Sequence, residues 1–140
     1  MSKLWEQENN VGDMRMDFID YQKRARTTAI YPTTIFLRDT IRYEDKSFEV
    51  QLNWVYPSLK IAGEVGEVSE KLGKAVRDKQ GRLSPEDKAL VMKELGDILW
   101  YVSNLATEFG LDLDDIAIDN LAKLASRKER GVLHGEGDNR

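Results

Sequence analysis

Cysteine is absent from the 140-residue chain, which removes disulfides, zinc–thiolate centres and thiol nucleophiles from consideration. Histidine occurs once, as His134 near the C-terminus. That is too few for a multi-histidine metal site, and it excludes a carboxylate-bridged di-iron bundle, whose helices need Glu-x-x-His pairs. No apolar run approaches the roughly 20 residues that span a bilayer, and the opening Met1-Ser2-Lys3-Leu4-Trp5-Glu6 has no signal-peptide core. A cytoplasmic protein with no membrane partner is the expectation. Positive charge is not in excess either: the net charge is −4 and the pI about 5.1. A surface that holds nucleic acid by its phosphates must be positive, so a nucleic-acid partner is disfavoured. A small phosphorylated ligand stays compatible, because divalent ions mediate between carboxylates and phosphates.

What is present is a soluble globular balance, 41% hydrophobic and 33% charged. The length suits one domain over residues 1–140, with a core over 13–130 and a flexible tail over 131–140 that holds three glycines. Small helical domains of this size often gain apolar burial by assembling, so a homo-oligomer is expected. Four helices are legible. The first spans Asp13 to Thr27, with Met14, Phe18, Tyr21 and Ala25 in one stripe, and Pro32 bars its continuation. The second begins near Pro57 and aligns Leu59, Ala62, Val65, Val68, Leu72 and Ala75, before a loop from Arg77 to Arg82. The third opens on Ser84-Pro85 with Asp87 three residues on, carries Leu95, Ile98, Leu99, Val102, Leu105 and Phe109, and stops at Gly110. The fourth starts at Asp112 as N-cap, carries Leu113, Ile116, Ala117, Leu121 and Leu124, and closes at Gly131. Residues 33–55 read either as a small hairpin or as an irregular connection. In the hairpin reading Ile41 and Tyr43 face Phe48, Val50 and Leu52 across a turn at 44–47. The fold class is all-α, a bundle of about four main helices.

Two helices each carry a pair of acids three residues apart: Glu64 with Glu67, and Glu94 with Asp97. Residues at that spacing share a helix face, where like charges are unfavourable unless something neutralises them. A hard divalent cation such as Mg²⁺, with Mn²⁺ as a substitute, takes oxygen ligands and shares its shell with phosphates. Each pair sits beside apolar residues, at the border of the expected buried stripe. Gly63, Gly66 and Gly96 lie among the acids, each costing about 1 kcal/mol relative to alanine, which points to close backbone approach or room for a ligand. The bland alternative is a solvated acidic face, with Glu67 simply pairing with Lys71. In that case the chain is a non-catalytic helical nucleotide- or protein-binding module.

Glu64-Val65-Gly66-Glu67 followed by Glu94-Leu95-Gly96-Asp97 resembles the signature of the MazG nucleotide pyrophosphohydrolases, E-x-x-E and then E-x-x-D. The similarity runs through Ala62–Val68, Lys93–Tyr101, Asn120–Lys123–Leu124 with Arg127, and Gly135-Glu136-Gly137-Asp138; it covers residues 56–140 well and 33–55 weakly. It implies a helical bundle assembling as a dimer or tetramer, with Mg²⁺ held by Glu64, Glu67, Glu94 and Asp97. It also implies cleavage of a nucleoside triphosphate between its α and β phosphates. Glu67 is the candidate to deprotonate the attacking water. By the same resemblance Lys74, Arg77, Asn120, Lys123 and Arg127 are phosphate or nucleotide contacts, although Arg127 and Arg130 also suit the negative end of a helix. Tyr101, four residues after Asp97, is a further phosphate or sugar contact. Tyr21, Trp54 and Trp100 are candidates for stacking on a base, with a core or interface role the competing reading for Trp100.

Overall fold

A computed structural model describes residues 16–31, 35–38, 47–50 and 53–134. Among them are four helices: α1 (Phe18–Thr27), α2 (Val55–Lys79), α3 (Pro85–Glu108) and α4 (Leu113–Glu129), and one hairpin of β1 (Ile35–Arg38) with β2 (Ser47–Val50). The all-α class therefore holds, with the hairpin as its insertion. The strands run antiparallel, Ile35 opposite Val50 and Arg38 opposite Ser47. The second strand falls where Phe48 and Val50 put it. The first is Ile35-Phe36-Leu37-Arg38, a denser β-forming run than Ile41 and Tyr43, which lie outside the described residues with the expected turn. Asp13 and Met14, and the motif from Gly135 to Asp138, also lie outside them.

The ends of the helices follow local chemistry. The Asp17 carboxylate accepts from the Asp20 amide at 2.8 Å and opens α1. At α3 the box is complete: Ser84 Oγ accepts from the Asp87 amide at 3.2 Å, and the Asp87 carboxylate accepts from the Ser84 amide at 2.9 Å. Helix α2 runs further than its last apolar residue suggests. It reaches Lys79, so Arg77 is helical, and the turn is made by Gln80 and Gly81, both left-handed at φ 54° and 77°. Asp112 does occupy the N-cap of α4, but its side chain makes no capping bond. The acceptor comes from α1 instead: Gln22 Oε1 takes the Leu113 amide at 2.8 Å, while Gln22 Nε2 donates to Leu111 O at 2.9 Å and Thr107 Oγ1 at 3.0 Å. One amide side chain thus ties α1 to the start of α4 and the end of α3.

Helices α2 and α3 form an antiparallel hairpin along most of their length, and α1 packs on α3 and α4. The seam between α2 and α3 corrects the expected pattern. On α2 one row of buried and half-buried positions, Pro57, Ile61, Glu64, Val68, Lys71 and Ala75, alternates at four and three. Asp87, Val91, Glu94, Ile98, Tyr101 and Leu105 do the same on α3. The stripes expected to be buried meet this seam at Val68, Ala75, Ile98 and Leu105 and depart from it elsewhere. Leu59, Val76, Met92 and Leu121 are 66–70% exposed, and Val65, Leu72, Leu95, Phe109 and Leu124 are also exposed. The apolar side chains that are buried among the described residues are small or few: Ala25, Tyr31, Pro57, Ala75, Ala106 and Leu113. Glutamate and lysine therefore occupy seam positions that a self-sufficient helix pair gives to leucine.

Candidate metal centre

Heptad spacing along α2 delivers Glu64 into the seam, and the antiparallel return of α3 brings Glu94 and Asp97 opposite it. Glu64 is 7% exposed. Glu94 is half-buried and Asp97 exposed, and one carboxylate oxygen from each of the three acids lies within 4.8 Å of the others. Opposite oxygens of an octahedral Mg²⁺ shell are about 4.2 Å apart. A small side-chain adjustment would close the trio on one ion. The donor set is entirely oxygen, which fits a hard divalent cation and offers nothing to a soft one.

The fourth acid stands apart. The Glu67 side chain is 54% exposed and its Oε2 is 3.7 Å from Lys71 Nζ. Its expected pairing with Lys71 is present, but the same ammonium also crosses the seam to Glu94 Oε1 at 2.8 Å. At the other end, Lys60 Nζ is 3.1 Å from Glu64 Oε1. Glu94 and Glu64 thus each hold a lysine of α2. Asp97 has no such neighbour at bonding distance among the described ion pairs. Burial, reinforced by the charges of Glu64 and Glu94, raises its pKa above the ordinary aspartate range, with Lys60 opposing. Charge is concentrated here at an energetic cost to the chain, and a cation would relieve it.

Aromatic rings border the acids. Tyr101, one turn beyond Asp97, lies 5.8 Å beneath the Lys60 ammonium and packs on Trp100 and Tyr56, with centroids 4.9 and 6.3 Å away. Tyr56 is exposed on one side and stacks on buried Tyr31 on the other, 5.5 Å between centroids. Tyr21 on α1 is half-buried, its pKa raised by burial and by the charge of Asp97. Trp100 is tied to the scaffold: its indole N–H donates to Thr28 Oγ1 at 2.8 Å and its ring meets Tyr31 edge-on. Trp54 stacks on Phe109 at 6.3 Å.

The cationic candidates are spread more widely. Lys74 pairs with Glu70 at 2.6 Å and lines a cleft of about 390 Å³ between α2 and α3 together with Lys71 and Lys79. Arg77 is engaged by the adjacent Asp78 at 2.6 Å. Asn120 and Lys123 line an open depression of about 350 Å³ on α4, beside Asp115 and Asp119. Arg127 is buried near the end of that helix. The structure therefore brings Glu64, Glu94, Asp97, Tyr101 and Tyr21 into one neighbourhood, with Glu67 reaching it through Lys71. Lys60, Tyr31 and Tyr56 join it unannounced by the sequence reading. Lys60 could have been found from its place four residues before Glu64, and Tyr56 from its place four residues before Lys60.

Nothing in the arrangement of the glycines supports close helix approach within the chain. A methyl group at Gly66 or Gly96 would meet open space, and at Gly63 only the tip of Lys60 at 4.0 Å. The space they leave faces outward.

A family description, MazG nucleotide pyrophosphohydrolase domain, matches residues 58–132, a span that contains all four motif acids. The chain is also similar to the Gene 37 protein of Mycobacterium phage L5, 40% identical over 120 residues that cover 86% of this chain and 96% of that protein. No solved structure matches the chain.

Proposed function

The chain belongs to the MazG nucleotide pyrophosphohydrolase family, and from that premise we propose that it hydrolyses nucleoside triphosphates to monophosphate and pyrophosphate with Mg²⁺. The observation that carries the reading is the convergence of Glu64, Glu94 and Asp97 from two antiparallel helices. Acids at seam positions weaken the pair of helices unless they serve a ligand, and these three offer the donors that Mg²⁺ takes.

Bound there, Mg²⁺ would supply charge neutralisation for the triphosphate and make water more acidic. The chain's own groups do the rest. Glu64, Glu94 and Asp97 hold the ion. Glu67, which lies outside the converging trio with its side chain 54% exposed, accepts the proton of the water that attacks the α phosphorus as pyrophosphate leaves. Lys60 and Tyr101 lie where they can donate to phosphate or sugar oxygens, and Lys74 extends the positive side along α2. The exposed ring of Tyr56, with Tyr21 nearby, offers a face on which a base can stack. Asn120, Lys123 and Arg127 act as nucleotide contacts in this reading.

The exposed apolar faces of α2, α3 and α4 support assembly into a homodimer or homotetramer. No described helix is long and apolar enough to cross a membrane, and we place the enzyme in the cytoplasm.

The test is release of pyrophosphate and monophosphate from a panel of ribo- and deoxyribonucleoside triphosphates, with Mg²⁺ and with EDTA. Orthophosphate as the product, or turnover that survives EDTA, would contradict the proposal. Nucleotide binding without turnover would favour the non-catalytic module.

A further inference from the structure

Lys71 is the one residue of the acidic centre whose position the reaction above does not use. It sits on the α2 face that carries Glu64 and Glu67, and its ammonium lies between two carboxylates of different helices, 2.8 Å from Glu94 Oε1 and 3.7 Å from Glu67 Oε2. Three-quarters of its side chain is covered. That is the place a second cation would take if Glu67 and Glu94 were to share one.

We propose that Lys71 is a built-in substitute for a second metal ion, so that this centre holds a single divalent cation on Glu64, Glu94 and Asp97. The inference rests on the metal-dependent reading of the site and deepens it. The charges agree. Four carboxylates and the ammoniums of Lys60 and Lys71 leave two negative charges, which one divalent ion neutralises. A second ion would leave the same cluster with a surplus of two positive charges. It would also need the oxygens of Glu67 and Glu94 that the ammonium already engages. The arrangement has a further consequence for Glu67. Held by Lys71 rather than by metal, its carboxylate stays half in solvent, where it can accept a proton.

The experiment counts bound Mn²⁺ on the full chain without nucleotide, by electron paramagnetic resonance of unbound ion and by calorimetry. Wild type is expected to bind one Mn²⁺ per chain. Lys71→Met and Lys71→Gln, two substitutions that keep most of the stem, are expected to bind two, or to bind the first about tenfold more tightly. Lys93→Met makes the same change in net charge next to Glu94 in sequence and is expected to leave stoichiometry at one and affinity within about threefold. Thermal melts supply a second readout. Both Lys71 variants should melt below wild type in EDTA, because Glu94 and Glu67 lose their partner, and saturating Mn²⁺ should close the gap. Two ions on wild type, or Lys71 variants indistinguishable from Lys93→Met, would overturn the substitution idea while leaving the metal centre standing. If neither wild type nor the Lys71 variants bind Mn²⁺, both the inference and the metal-dependent reading fall.

Discussion

Asp97, a ligand in the proposed metal centre, carries its charge at a cost to the fold. Burial and the neighbouring Glu64 and Glu94 disfavour its charged form, so neutralising it should help the metal-less chain and harm the enzyme. Asp97→Asn is expected to raise Tm in EDTA and to lower kcat by about 10²-fold or more; differential scanning fluorimetry beside the pyrophosphate assay checks both signs. Tyr31 makes the opposite case, a residue whose hydroxyl is engaged in stability. Its hydroxyl donates at 2.6 Å to Glu108, and Arg26 donates to both groups. Burial, helped by the bond to Glu108, pushes the Tyr31 pKa up to about 12. Burial alone would raise the pKa of Glu108, but the bonds from Tyr31 and Arg26 outweigh it and the net shift is downward. Tyr31→Phe removes a hydrogen bond to a buried charge and should cost about 1.5–3 kcal/mol near neutral pH in urea unfolding. A lowered carboxylate pKa contributes stability that is lost as pH falls through it. A raised tyrosine pKa contributes stability that is lost as pH rises from the unfolded value of about 10. The difference between wild type and Tyr31→Phe should therefore be widest between about pH 5 and 10 and shrink on both sides.

Among the elements, α3 could be delimited from the chain alone, because Ser84, Pro85, Asp87 and Gly110 act through bonds within a few residues of themselves. Ser84→Ala is expected to cost about 1 kcal/mol. The start of α4 looks equally legible, yet its amide is satisfied by Gln22 from 91 residues away in sequence. Gln22→Leu should therefore destabilise by about 1–3 kcal/mol, more than Asp112→Ala, since it leaves the part-buried Leu113 amide without its acceptor. Equal costs for the two, in the same denaturant series, would show that Asp112 caps after all. The burial of α2 was read only partly correctly for a related reason: Val68 and Ala75 are covered, while Leu59, Val65 and Leu72 are exposed. Periodicity finds its apolar stripe, but no single helix reveals which stripe its own chain will cover.

For the whole molecule, the thin core and the broad apolar outer faces make one prediction. If Met92 and Leu121 lie in contacts between copies, Met92→Lys or Leu121→Lys should lower the assembled mass in light scattering and reduce Tm together, whereas a monomer would tolerate either change within about 0.5 kcal/mol. The outward-facing glycines at 63, 66 and 96 belong to the same question, since among the described residues only the tip of Lys60, at Gly63, comes near the room they leave. The site is coupled to global stability through the seam. At a hundredfold excess over its Kd, Mg²⁺ should stabilise the fold by about 2.7 kcal/mol, an increment that EDTA removes.

The helical class, the limits of α3 and the four motif acids follow from the chain's order of residues, because caps, periodicity and a spacing of three act locally and need no tertiary partner. The different placement of those acids did not follow. The seam buries Glu64, draws Glu94 and Asp97 up to it, and leaves Glu67 beside a lysine. Contacts between residues thirty or more apart depend on how two helices rotate against each other, and only packing sets that angle.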